Sequence, residues 1–383
     1  MMVISCSGKF HAFALAEQMQ RKAILGTFFT TYASGKNNVL RKFVGRTDKE
    51  EIPVEKICTN TLLAFPIKLW QSKVHLWNNY FDLWVAGKLD RNSGKIFTGW
   101  SGMSLQSICK AKQLGMVTIL ERGSTHILFQ NNILREEYKR FNKEFSIHSS
   151  VIRKELQEYE ETDYISVPSD FVKNSFIDQG IPAGKLLLNP YGAGKYFKPV
   201  KNERSGRKFT ILYMGTISIR KGLIYLFEAL EKLDIKERDF EVCILGSIDR
   251  DMEPVVNRYR KANWRLMGHV DHYSLAEFLS ECDIGVQPSL EEGLSMVIPQ
   301  MMSCGLPVII TENTGGGNIV TSGLNGFILK ARDVDAMKAH IEFLYHHPVK
   351  LAEMKEEATK AIASGFTWDD YGDRYFKNLQ KIV

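Results

Sequence analysis

At 383 residues the chain is longer than one ordinary hydrophobic core supports, so two domains are expected. Hydrophobic residues make up 44% and charged residues 25%, the balance of a globular protein, which excludes wholesale disorder. The formal net charge is +6, and the first 100 residues, with 14 Lys/Arg against 7 Asp/Glu, carry the whole excess.

The chain opens on an apolar run at residues 2–5. No basic stretch precedes it, so it reads as a buried first strand rather than a secretory leader. A polar turn and a helical pattern over 13–20 follow. A β-type run covers 116–120. Residues 132–159 place Leu134, Tyr138, Phe141, Phe145, Ile152, Leu156 and Tyr159 at helical spacing. Short strands are expected at Tyr164–Val167 and 185–189. Residues 198–207 are polar, contain Pro199 and Gly206, and have no apolar period, which reads as a linker. A second cycle then begins, with strands at Phe209–Met214, Phe240–Leu245, Ile284–Gln287 and 306–310 and helices at 223–233 and 275–279. Strands alternating with helices of this length imply parallel sheets with crossover helices. The fold class expected is α/β, with two Rossmann-like doubly wound domains facing across a cleft. Ligands bind such sheets at the carboxyl ends of their strands. The expected division is 1–199, 200–365, and a C-terminal helix at 366–383 packing back on the first domain.

The cysteines, Cys6, Cys58, Cys109, Cys243, Cys282 and Cys304, are scattered, without a C-x-x-C pair. This favours a reducing, cytoplasmic setting over a disulfide framework or a structural zinc site. No run of 18 apolar residues suggests a membrane span. Trp70, Trp77 and Trp84, with Phe65, Tyr80 and Phe81, lie in the basic N-terminal region. Aromatics interleaved with cations suit peripheral contact with an anionic membrane; their seven-residue recurrence equally suits a helical core face.

Three segments of the second half carry chemistry. In Gly215-Thr216-Ile217-Ser218-Ile219-Arg220-Lys221-Gly222 a strand runs into a glycine-marked turn, and a basic pair opens a helix. Free N–H groups and two cations there suit a diphosphate. Met267-Gly268-His269 ends a short strand, leaving backbone groups that could read a nucleobase; a plain strand–turn explains it as well. In Glu291-Glu292-Gly293-Leu294-Ser295-Met296-Val297-Ile298-Pro299-Gln300 a strand ends in an acidic glycine loop. Pro299 fits a first helical turn and Gly305 a helix stop. Glu292 can accept from sugar hydroxyls, and Gln300 can both donate and accept.

Together these segments resemble the signature of family 4 glycosyltransferases of the GT-B fold, in which a Glu-Gly pair and a second Glu lie eight positions apart. The segments 163–170, 189–199, 313–320 and 323–328, and the ending Phe366-Thr367-Trp368, match as well. The resemblance implies that Lys221 binds the donor diphosphate with Arg220 as second cation, that Glu292 holds the donor sugar beside Gly293, Leu294 and Ser295, and that Gln300 contacts the ribose. Two positions depart from the family pattern. Gln300 replaces an acid, which removes charge assistance from the ribose contact. Thr216 replaces an arginine, whose place Arg220 can take. In the first half, Gly8 resembles the family's glycine loop facing the donor phosphate, and a tight turn is the alternative. Glu121-Arg122-Gly123-Ser124-Thr125-His126 resembles the segment bearing a histidine that meets the transferred sugar, which makes His126 the catalytic candidate beside Glu292. His11 is a second cleft candidate, and Arg122 either pairs with Glu121 or reaches a phosphate.

The resulting expectation is a retaining transferase that needs no metal or other cofactor, taking a sugar from a nucleotide-diphosphate donor to a glycan or lipid-linked acceptor, with no nucleic-acid partner. The sequence shows no evident covalent nucleophile, so same-face attack assisted by the leaving phosphate is the expected route. Asp249-Arg250-Asp251 has the form of a metal-binding pair, but two carboxylates in a loop make a poor Mg²⁺ site. Thr314-Gly315-Gly316-Gly317 lacks the dinucleotide spacing. A sugar-nucleotide epimerase of the same fold and a non-catalytic sugar-nucleotide binder remain as alternatives.

Overall fold

A computed structural model describes residues 1–32, 52–60, 62–63, 73–200, 207–268, 270 and 272–382. Strands β1 (Met2–Cys6), β2 (Leu25–Thr30), β3 (Ile57–Thr59), β4 (Ile96–Trp100), β5 (Val117–Glu121), β6 (Tyr164–Val167) and β7 (Leu186–Leu188) form one sheet, in the order β3-β2-β1-β4-β5-β6-β7. Strands β8 (Phe209–Met214), β9 (Phe240–Leu245), β10 (Trp264–Gly268), β11 (Ile284–Gln287), β12 (Val308–Thr311) and β13 (Gly326–Leu329) form a second, in the order β10-β9-β8-β11-β12-β13. All pairings between these strands are parallel.

Parallel neighbours require crossovers. In the first half these include α1 (Ala12–Arg21), α2 (Val74–Lys88), α3 (Leu105–Gln113), α4 (Ile127–Arg140), α5 (Ser149–Glu161) and α6 (Asp170–Ile177). In the second they include α7 (Leu223–Glu231), α8 (Glu253–Tyr259), α9 (His272–Glu281), α10 (Val297–Ser303), α11 (Val334–His346) and α12 (Pro348–Ala363), and α13 (Trp368–Ile382) ends the chain. Central strands such as β8 and β11 are buried on both faces, which explains their continuous apolar runs. On β8, Ile211 and Tyr213 join one core while Leu212 and Met214 join another. On β1, Met2, Ile4 and Cys6 point to one face and Val3 to the other.

Both sheets reverse direction at their middle. The chain grows outward from β1 on one side and from β4 on the other, and the second sheet does the same at β8 and β11. Such a switch point opens a crevice beyond the strand ends. Ser7 and Gly8 follow β1, Gly215 follows β8, and the acidic loop follows β11.

The chain crosses between the sheets twice, and the crossings run side by side. Ala193 N–H donates to the Phe366 carbonyl at 2.9 Å, and Ala193 bridges Thr367. A Cβ on Gly192 would overlap the Thr367 backbone, so only glycine allows this approach. Beyond the second crossing, α13 lies on the first domain. Gln18 donates to Asp369 at 3.0 Å, Arg21 pairs with Asp369 at 2.6 Å, and the Tyr375 hydroxyl is 3.2 Å from Thr98 Oγ1.

The helical spacing over 132–159 belongs to two helices, α4 and α5. The break is at Asn142, whose left-handed backbone (φ 53°) ends the first. Of the three tryptophans, Trp70 lies outside the described residues, as does Phe65. Trp84 packs edge-on against Phe29 and also touches Phe81, while Trp77 contacts Tyr80. The core side of α2 is thus Phe81 and Val85, and its other side leaves Leu76, Tyr80 and Leu83 exposed. Among the described residues no helix is long and apolar enough to cross a membrane.

Candidate active site

Arg220 and Lys221 do not open a helix. They occupy a single 3₁₀ turn, Ile219–Lys221, and α7 begins after Gly222. Gly222 is left-handed (φ 64°), and a Cβ there would overlap the Pro288 carbonyl. Glycine therefore lets the basic turn sit directly against the end of β11, where Leu290 N–H donates to the Arg220 carbonyl at 2.9 Å.

This packing brings the basic pair onto the acidic pair. Lys221 Nζ forms an ion pair with Glu292 Oε1. Arg220 NH1 lies 3.4 Å from Glu291 Oε2 and 3.8 Å from Glu292 Oε2. Glu292 N–H donates to the Asn313 carbonyl and Ser295 N–H to the Thr314 carbonyl, both at 3.0 Å, so the loop is tied to the segment after β12. Leu294 is buried in the core. Gly293 meets the first domain directly. Its carbonyl accepts from Ser169 Oγ at 2.5 Å, and a Cβ on it would overlap the Gly123 carbonyl. Gly215 follows β8 at φ 141°, with its N–H bonded to the Leu245 carbonyl at 2.8 Å. Thr216 is exposed beside it. Gln300 is half-buried on α10. Met267 is half-buried and Gly268 exposed at the end of β10, and His269 lies outside the described residues.

On the opposite side, Gly8 follows β1 beneath the exposed ring of Phe10, which a Cβ on Gly8 would strike. Ser7 Oγ donates to Asn78 Oδ1 at 2.8 Å. His11 is buried, 2.9 Å from Glu121, with its ring tilted by 41° against that of Tyr191 (4.4 Å between centroids).

His126 is not a cleft residue. It is 2% exposed, packs 5.0 Å from the rings of Tyr159 and Phe176, and caps α4, its Nδ1 accepting from Leu128 N–H at 3.3 Å. The chain turns into α4 at this position, and capping draws the imidazole back under the helix. Arg122 is likewise committed within its domain. It pairs with Glu155 at 2.8 Å and donates to the Thr125 carbonyl and to Gln130, each at 3.0 Å. Burial, and then the Arg122 charge, lowers the His126 pKa from 6.5 to about 4. The unfolded chain therefore binds a proton that the folded one excludes between those values. The stability gained from a neutral His126 is complete above pH ~6.5 and lost as pH falls through ~4, at most about 3 kcal/mol. Denaturant unfolding of His126→Asn, which keeps a capping side chain, should show a flatter acid limb across that window than the parent; identical limbs would contradict this.

Sequence reasoning passed over Glu291. Its side chain is wholly buried, and it receives Ser124 Oγ at 2.6 Å, Thr125 N–H at 3.0 Å, Thr125 Oγ1 at 2.8 Å and Gln130 Nε2 at 3.1 Å. Burial would raise its pKa, but Arg220 and these donors outweigh burial and lower it. Glu137 is a second buried carboxylate across the interface, bonded to Tyr225 OH at 2.5 Å and Arg332 Nε at 2.8 Å. Asp251, of the Asp-x-Asp pair, faces Lys143 of the first domain at 2.7 Å. An acidic residue beside a motif gives no sign of such partners when they lie far away in the chain.

Comparisons with known proteins agree with this architecture. Residues 195–361 match the model of "Glycosyl transferases group 1". An O-antigen chain mannosyltransferase B of Escherichia coli is 28% identical over 172 residues, 42% of each chain. The chain spans about half the length of the first curated relatives it matches. Sucrose-phosphate synthase of Thermosynechococcus elongatus superposes with a TM-score of 0.74 at 15% identity, covering 100% of this chain and 98% of that one. Anabaena HepE, solved in complex with UDP and glucose, superposes at 0.71 with 14% identity and 99% coverage of both chains. The fold is thus GT-B, two Rossmann-like domains facing each other.

Proposed function

We propose that the protein, whose residues 195–361 match the model of the group 1 glycosyl transferases, moves a sugar from a nucleotide-diphosphate donor to a glycan or lipid-linked acceptor. The observation that carries the reading is the Arg220–Lys221 turn set against Glu292 at the switch point of the second sheet. Breaking the bond between sugar and diphosphate builds negative charge on the leaving group, and two fixed cations in a partly buried site stabilise that charge. They do this without a metal ion. The Lys221–Glu292 pair holds both groups ready: the diphosphate takes Lys221, and Glu292 turns to the hydroxyls of the sugar. Gln300 on α10 serves the ribose and the end of β10, at Met267–Gly268, the base. Gly8 closes over the phosphates from the first domain. Retention follows from same-face attack, with the leaving phosphate taking the acceptor proton.

The chain divides for this purpose at 199/200 and 365/366, so that closure of the first domain over the second excludes water from the reacting bond. A panel of nucleoside diphosphates and their sugar conjugates tests the reading by thermal shift. One base should stabilise by about 2.7 kcal/mol at one hundred times Kd. No shift with any member would overturn it, and an epimer formed from donor alone would replace transfer with isomerisation.

The acceptor side meets a membrane through α2. Leu76, Tyr80 and Leu83 form an exposed stripe at spacings of four and three, in the region that carries the positive excess. A cytoplasmic protein working at the inner face of a membrane fits both features. Sedimentation with phosphatidylglycerol vesicles should carry the protein down and fail for Leu76→Gln with Leu83→Gln; equal sedimentation of the two would remove this surface from the account.

A further inference from the structure

Glu291 and Glu292 are consecutive, yet they point to different tasks. Glu292 faces Lys221 within its own domain. Glu291 faces the junction, and its two oxygens are shared among four donors of the first domain and one cation of the second. Every donor from the first domain comes from one short stretch, the Ser124–Thr125 loop and Gln130 on α4. Among the described residues the charge paired with it is Arg220, whose NH1 also donates to the Glu291 carbonyl at 3.3 Å. We propose that Glu291 is a positioning residue that ties Arg220 to the Ser124–Thr125 loop and thereby couples presentation of the phosphate-binding cation to closure of the two domains.

The chemistry favours a carboxylate over any neutral group here. A buried carboxylate is tolerated only when its acceptor sites are filled, and these are filled from both sides of the interface. Opening the domains strips the four first-domain donors at once and leaves the charge with Arg220 alone. Closing them fixes the carboxylate, and the carboxylate fixes the guanidinium. An amide at this position keeps one acceptor oxygen but turns its NH₂ toward donors of its own kind, Gln130 or Arg220. It therefore weakens the closed form and frees Arg220 in the same step. The neighbouring interface contacts do not duplicate this role. Ser169 with Gly293 and Glu137 with Tyr225 and Arg332 hold the domains together without touching the basic pair.

The role of Arg220 in this inference rests on the donor reading above; the latch itself does not. Small-angle scattering of the full chain without ligand, and calorimetric titration with a nucleoside and with its diphosphate, separate the two. Glu291→Gln should raise the radius of gyration and weaken the diphosphate about 10-fold while leaving the bare nucleoside unchanged. A residue that merely holds the fold would weaken both ligands alike. Asp251→Asn, which breaks an exposed interdomain pair, should change neither quantity. Should Glu291→Gln fail to fold, the double change Ser124→Ala with Thr125→Val removes two of the donors and should move both quantities the same way by less. An unchanged radius together with unchanged diphosphate affinity overturns the proposal. A larger radius in a protein that binds no diphosphate even as wild type supports the latch and overturns the donor reading.

Discussion

Lys221→Ala should abolish the stabilisation that a nucleoside diphosphate gives the parent protein. Lys221 sits with its side chain 15% exposed against Glu292. Removing one member of such a buried charged contact to a ligand costs about 2–5 kcal/mol. Taking the lower part of that range, Kd rises about 100-fold. At a ligand concentration that gave the parent about 2.7 kcal/mol, the variant gains only about 0.4 kcal/mol, close to no shift. The unliganded variant should also melt lower, because Glu292 keeps only the more distant Arg220 at 3.8 Å. Lys221→Arg retains the charge and should recover part of the shift. A full ligand shift in Lys221→Ala, measured by thermal denaturation against several concentrations, would remove the lysine from the donor site.

Gly293→Ala should carry a large cost, and through closure rather than through the core. The added Cβ overlaps the Gly123 carbonyl and comes within 3.1 Å of Pro168 Cγ, and both belong to the facing domain. Overpacking inside a core is relieved by strain of about 1–3 kcal/mol. Here two bodies can part instead. Parting breaks the Ser169–Gly293 bond and the four donors on Glu291. A misplacement of about 1 Å at a reacting centre costs about 100-fold in rate, so transfer should fall by at least that. Gly317→Ala is the control. It lies in the glycine-rich segment after β12 with open space at its Cβ, and it should leave rate and scattering unchanged. Parental activity in Gly293→Ala would mean that the closed contact is not the productive one.

What could be read in advance divides along physical lines. Phe209–Met214, Phe240–Leu245, Ile284–Gln287 and Tyr164–Val167 are strands at the residues expected, because burial on both faces makes each a continuous apolar run with a polar or glycine boundary. Strands β2 and β4 carry Gly26 and Gly99 and threonines in place of such runs, and local pattern does not separate them from loops. The basic turn and acidic loop were legible as a pair because each sits at a strand end, and parallel topology brings strand ends to one edge. His126 shared that logic and still turned away, since the capping demand of α4 and the Tyr159–Phe176 pocket claim its ring. Glu291 could not be read at all. Its role exists only where a loop of one domain meets a loop of the other, 166 residues apart for Thr125.

The account stands on charge neutralisation of a diphosphate by the Arg220–Lys221 turn, and calorimetric titration of the intact protein in excess EDTA measures it most directly. One nucleoside diphosphate should bind at a single site with the same affinity in EDTA as in magnesium. Binding that vanishes in EDTA and returns with magnesium would contradict it, whatever the fold.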